Sequence, residues 1–173
     1  MAILSSDLIR QGAAGASTGY TIDNSIRFDR YDNAYMSKTL NAASDGGKTY
    51  TFSWWQKRGN RIGSSGISEY IIHKDLDGGN SADYFYFYED GFRSWHGTNN
   101  FTTNRLFRDP SAWYHFVYVY DSTLAQSNER LRFYVNGERQ TSFSTETYPS
   151  LNATSYFNTN TAHYIGGATS ASN

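Results

Sequence analysis

Residues 112–121, AWYHFVYVYD, constrain this chain more than any other stretch. A run so rich in aromatic and β-branched side chains suits a pleated surface, not a helix. Shortly after it, residues 130–138 read RLRFYVNGE. Leu131, Phe133 and Val135 alternate with Arg130, Arg132 and Tyr134, the period of a strand with one face in a core. The segment closes on Asn136-Gly137, the pair that most readily takes the positive φ values of a two-residue hairpin turn. Two adjacent antiparallel strands and a tight reversal therefore occupy the middle of the sequence.

The same signal recurs along the chain. Residues 25–29 (SIRFD) and 34–37 (AYMS) alternate as short strands. Residues 48–57 (KTYTFSWWQK) make a longer one, with Phe52 and Trp54 on one face and Thr51, Ser53 and Trp55 on the other. After residues 68–74 (SEYIIHK), residues 83–88 (DYFYFY) set Tyr84, Tyr86 and Tyr88 against Phe85 and Phe87. Asp90-Gly91 has hairpin chemistry, with residues 92–95 as the return strand. Residues 140–143 are expected to pair back on Val135, and 163–165 form the last strand. No segment sustains a helical period. A length of 173 residues suits one domain with a sizeable core. The 15 Tyr, 11 Phe and 4 Trp, against 2 Pro, fit many strands joined by polar turns.

The expected fold class is all-β: a two-sheet antiparallel jelly-roll-like sandwich over residues 25–173, with an extended N-terminal arm over residues 1–24. Residues 11–19, QGAAGASTG, have linker composition. The arm reads either as a frayed terminus or as an assembly anchor that orders on a partner through Ile3, Leu4, Leu8 and Ile9.

A formal net charge of −1 gives no general attraction to nucleic acid or acidic membranes. The small basic clusters at Lys57, Arg58 and Arg61 and at Arg10, Arg27 and Arg30 are balanced by acids, so no nucleic-acid partner is expected. The lack of cysteine excludes disulfides and thiolate metal sites. No apolar run reaches the length of a membrane span, so no membrane insertion is expected. Ala2, Ile3 and Leu4 are too few for the core of an export signal.

Catalytic signals are weak. Glu69, Glu89, Asp90, Glu129, Glu138 and Glu146 are scattered, whereas glycoside hydrolysis needs two carboxyl groups flanking one bond. No G-x-S-x-G elbow surrounds a serine. His115 invites a role as a base; the structural readings beside it are packing between the sheets and a hydrogen bond to a neighbouring strand. No catalytic residue is expected. Asp75, Asp77, Asn80 and Asp83 concentrate the oxygen ligands that calcium prefers. The same residues are what a hairpin turn requires with no metal, so calcium is a candidate and no cofactor is required. Tyr84, Tyr86 and Tyr88, with Trp95 and His96 across the turn, offer flat faces for a sugar, and Asn99 and Asn100 add polar contacts. Two other readings stand beside this one: aromatic cross-strand pairing, and an interface between subunits.

Several of these segments, in this order, resemble one family. The WYH strand with its YVNG hairpin, SIRFD…AYMS, YTFSWWQKRG and YIGG are similar to the laminin-G-like and pentraxin-like domains of the concanavalin A-like lectin/glucanase superfamily. The likeness covers roughly residues 25 to 167 and implies a lectin-like sandwich that can hold calcium in its rim loops. The glucanases of that superfamily carry an E-x-D-x-x-E run, and none occurs here. A closing apolar strand, which the family has, is also not evident after Ile165, so either a longer polypeptide, the favoured reading, or another segment filling that place is expected. The opening MAILSS…IRQGAAGAS…YTIDNSIRFD resembles tail-fibre and virion-surface proteins of bacteriophages. That likeness implies a non-enzymatic virion structural protein, its arm bound to other virion proteins, homotrimeric, and attached to a host-surface glycan. The alternative is a carbohydrate-binding adhesion module of an extracellular protein.

Overall fold

The computed structural model describes residues 26–28, 34–41, 46–59, 66, 68–74, 83–97, 99–157 and 159–166. The strands are β1 (Tyr35–Thr39), β2 (Thr49–Lys57), β3 (Ser68–Lys74), β4 (Asp83–Tyr88), β5 (Gly91–His96) and β6 (Asn99–Leu106). They are followed by β7 (Trp113–Asp121), β8 (Leu131–Val135), β9 (Glu138–Arg139), β10 (Phe143–Glu146) and β11 (Ala162–Gly166). One 3-10 turn, Ser127–Glu129, precedes β8. The larger sheet has seven strands in the order β1-β11-β3-β4-β5-β6-β10, and the smaller has four, β2-β7-β8-β9. All pairings are antiparallel. The chain is an all-β two-sheet sandwich, as the alternation requires.

The core is made of rings. Phe85, Phe87, Phe92 and Phe101 from the larger sheet face Phe116, Tyr118 and Phe133 from the smaller, all fully buried. Phe92 stacks on Phe133 at 4.1 Å, and Phe85 meets Tyr118 at 4.4 Å, so the two layers touch directly. Each such side chain contributes about 1.5–3 kcal/mol by leaving water.

Polar clusters close both ends of this aromatic slab. At one, Arg58 at the end of β2 reaches across to the larger sheet and is only 4% exposed. Its Nη2 lies 2.7 Å from Glu69 Oε2 and 3.7 Å from Asp90 Oδ1, and its Nη1 donates to Phe107 O at 3.0 Å. The guanidinium also covers the Phe87 ring at 4.2 Å. The sequence groups Arg58 with Lys57 and Arg61 in a small basic cluster; here it is an internal tie between sheets. At the other end sits Asp83, described below.

Four differences from the sequence reading have physical causes. Ile26–Phe28 carry no strand pairing; Phe28 instead lays its ring over Gly166, where a Cβ would stand 2.5 Å from Phe28 Cδ1. The first hairpin turns on Glu89-Asp90, both at positive φ, and Gly91 already pairs with Tyr88. Asp90 is held there by Arg108 Nε, which donates to it at 3.0 Å. The strand paired back on β8 is Glu138–Arg139, and of residues 140–143 Gln140 adds a backbone bond to β8, its N–H donating to Phe133 O at 2.8 Å. Phe143 crosses to the larger sheet, where its ring lies 4.0 Å from Phe101. Finally, β6 is a full strand with polar composition, NNFTTNRL, that alternation of apolar residues did not flag. The hairpin at Asn136-Gly137 forms as expected, with φ of 52° and 82°.

Candidate functional site

Alternation along β4 and β5 builds the outer surface of the larger sheet. With Asp83, Phe85 and Phe87 turned inward, Tyr84, Tyr86 and Tyr88 stand half-buried on the opposite face. Tyr84 pairs with Trp95 on one side and His73 on the other, and Tyr86 pairs with Arg93 and Tyr70. Trp95 stacks on Tyr84 at 6.1 Å with planes 3° apart. The rings continue through Tyr84–Tyr86 at 5.3 Å, Tyr86–Tyr70 at 5.7 Å and Tyr70–His73 at 5.7 Å. They end at His73–Tyr164, 5.1 Å, and Tyr164–Tyr35, 5.4 Å. This aromatic ladder runs from β5 across β4, β3 and β11 to β1.

Burial first, then the neighbouring Tyr86 and Tyr70, pushes the Tyr84 hydroxyl up to about 12. Burial and Tyr86 likewise raise Tyr70. Both stay protonated at any working pH and keep a hydroxyl donor at the surface.

Where the ladder meets β6 and β10 there is a cleft of about 130 Å³. Its walls include Tyr86, Arg93, Trp95, Asn100, Thr102 and Thr145. Arg93 Nε and Asn100 Oδ1 are buried and have no hydrogen-bond partner. The Arg93 guanidinium lies 4.2 Å over the Tyr88 ring, and among the described residues it has no acidic partner. Asn100 is fixed by its backbone: its N–H donates to Thr147 Oγ1 at 2.6 Å, and its carbonyl accepts from Thr147 N–H at 2.9 Å. Sequence reasoning missed Arg93, Thr102 and Thr145. Arg93 was legible, since it precedes Trp95 by two positions on one strand and must share its face.

The same alternation removes two predicted residues from this surface. His96 follows Trp95 and points into the core. Its Nδ1 is 3.2 Å from Asp83 Oδ2 and 3.3 Å from Tyr50 Oη, and its Nε2 is 2.8 Å from Tyr118 Oη. Asn99 lies opposite His96 and donates from Nδ2 to His96 O at 3.4 Å. Asn100, opposite Trp95, is the amide that lines the cleft.

Asp83 begins β4 on the inner face and is fully buried. Its Oδ2 accepts from Tyr156 N–H at 2.8 Å, from Phe157 N–H at 3.3 Å and from the Ser155 hydroxyl. Burial alone would raise its carboxyl. The His96 charge and the hydrogen bonds from His96, Ser155 and Phe157 outweigh that and hold it below the usual carboxylate range. A carboxylate turned into the core in this way does not fit a rim calcium site. Asp75, Asp77 and Asn80 lie outside the described residues, as do Ile3, Leu4, Leu8 and Ile9. Among the described residues no group of three or more His, Asp or Glu is placed to hold a metal ion.

His115 and Trp113 belong to the outer face of the smaller sheet. His115 Nε2 lies 2.9 Å from Ser53 Oγ on the neighbouring strand, and its ring stacks on Trp55 at 4.8 Å. It bonds the next strand, as one sequence reading held, and is not between the sheets. Trp55 and Trp113 are 57% and 52% exposed.

The comparisons with known proteins agree with this geometry. A laminin-G-type family model, described as the concanavalin A-like lectin/glucanases superfamily, matches residues 29–173. Among solved structures, domains LG4-5 of the mouse laminin alpha1 chain align with a TM-score of 0.53 and 13% sequence identity. The alignment covers 93% of this chain and 40% of that one, so the present chain spans less than half of the laminin fragment. No curated protein matches it in sequence. Matched along most of its length, the chain belongs to the concanavalin A-like lectin/glucanase superfamily, in its laminin-G-like branch.

Proposed function

We propose that this chain is a non-enzymatic carbohydrate-binding module that attaches a bacteriophage particle to glycans of its host. The observation that carries the binding role is the aromatic ladder ending in a cleft with polar walls. Flat rings take the C–H faces of sugars, and the polar side chains along the cleft wall, among them Thr102 and Thr145, suit their hydroxyls. The fold is of lectin type, and laminin-G-like domains are generally binding modules. A non-catalytic reading is supported by the walls of the cleft, which among the described residues bring no carboxylate. Hydrolysis of a glycosidic bond needs two. The particle setting, with the N-terminal arm holding other virion proteins in a homotrimer, rests on the resemblance of the opening residues to tail-fibre proteins.

The binding role is tested on a glycan array with the native chain and the Trp95→Ala variant. The native chain is expected to retain at least one glycan class, and the variant to lose it about tenfold, the value of one stacked ring. A native chain that retains no glycan overturns the reading. Mass spectrometry of purified particles that lacks this polypeptide overturns the particle setting alone.

A further inference from the structure

We infer that the outer face of the smaller sheet is a two-fold interface, which pairs with the same face of a second copy of this chain. The inference goes beyond the glycan reading, whose cleft lies on the other sheet.

β7 is apolar on both sides. Phe116, Tyr118 and Tyr120 fill the core, while Trp113, Val117 and Val119 point outward beside Trp55 of β2. A strand with apolar residues on both faces has the composition of one covered on both faces. Here only the inner face is covered, and Trp55 and Trp113 stand 57% and 52% exposed. Large apolar side chains gathered on one exposed face mark an interaction surface.

The relief of the face and its charge identify the occupant. β2 has nine residues, and its middle one, Ser53, is paired with Val117. On one side of that middle rise Trp55, stacked on His115 at 4.8 Å, and the cross-strand pair Lys57–Trp113. Lys57 Nζ lies 5.8 Å over the Trp113 ring and, among the described residues, makes no ion pair. On the other side, Thr49, Thr51, Val119 and Asp121 wall an open depression of about 230 Å³. The Asp121 carboxylate accepts from the Thr123 N–H at 3.1 Å and the Thr123 hydroxyl at 2.6 Å, and among the described residues no cation pairs with it. Arg132, paired with Val119, acts on Glu129 together with Arg139.

A two-fold axis running across the strands at Ser53 exchanges the two sides. Trp55 of one copy then faces Thr51 and Val119 of the other, because those residues lie as far from the middle as it does. By the same count Lys57 faces Thr49 and Asp121. Ring meets hollow and cation meets carboxylate, twice over, as a self-complementary contact requires. Sheets packed face to face in this way keep their strands within about 30° of each other. A sugar would use the rings and leave the depression and Asp121 idle. A different protein would need no such match between the two halves of one face. The pair is separate from the homotrimer attributed to the arm: it joins sandwiches, and doubles whatever number the arm gathers.

Light scattering of the full chain as it elutes from a sizing column, over a range of concentrations, tests the interface. The native chain is expected at twice the mass of Trp55→Ser, whose dissociation constant should rise about thirtyfold, as when an anchoring ring is lost. Lys57→Asp and Asp121→Lys should each weaken pairing about tenfold or more, because like charges then meet. An equimolar mixture of those two variants should pair again, since each supplies the charge that the other lacks. Trp55 and Lys57 are exposed, so their variants keep the fold even where Asp121→Lys disturbs its turn. Equal mass for the native chain, Trp55→Ser and Lys57→Asp overturns the inference, whatever that mass is. So does a mixture of the two folded charge variants that stays unpaired, or a glycan that shields Trp55 while the native chain remains single-faced in mass.

Discussion

Asp83 shows how one residue can serve a fold while looking like a ligand. In the sequence it closes an oxygen-rich run; in the folded chain its carboxylate gathers His96, Ser155, Tyr156 and Phe157. Replacing it by alanine strips His96 of its buried carboxylate and leaves the Tyr156 N–H without its acceptor, and a loss of about 3–5 kcal/mol is expected by urea denaturation. The pH dependence follows from the direction of its shift. A carboxyl held below its unfolded value, about 3.9, stabilises the fold fully above that pH and progressively less as pH falls through the folded value. The denaturation midpoint should therefore decline as pH falls below about 4, and decline less steeply in Asp83→Asn. His96 and Asn99 teach the complementary lesson. Their types suit a sugar site, but each sits one position out of phase with the face that carries Trp95 and Asn100.

Among elements, strands were readable where apolar residues alternate and unreadable where they do not. β4, β7 and β8 announce themselves through Phe, Tyr and Val. β6 reads NNFTTNRL and is a strand because β5 and β10 flank it, not because of its own composition. That is why Thr102 was missed and Asn100 could not be told from Asn99, whereas the tyrosine half was plain. Connections matter equally at this scale. Gly47, at φ +76°, leads into β2, and a Cβ there would stand 2.8 Å from the backbone oxygen of Ser155. Its carbonyl meanwhile accepts from Ser155 N–H at 3.0 Å. Gly47→Ala is expected to cost about 1–3 kcal/mol and to lower the melting temperature measured by calorimetry, since backbone cannot yield as a side chain would.

Across the whole molecule, the two sheets are joined by rings in the middle and by charge at the ends. Arg58 is the tie at one end, and its removal leaves Glu69 and Asp90 facing each other without their shared cation. Arg58→Ala should lose about 3–5 kcal/mol in urea denaturation. Arg58→Lys should recover only part, because an ammonium cannot meet Glu69, Phe107 O and the Phe87 face together. The tryptophans are distributed with equal clarity: Trp54 inside, Trp55 and Trp113 on the outside of the smaller sheet, Trp95 in the cleft. The intrinsic emission of the protein is thus addressed by side. An occupant of the cleft shields Trp95 from iodide and leaves Trp55 and Trp113 open to quenching, while anything settling on the smaller sheet does the reverse.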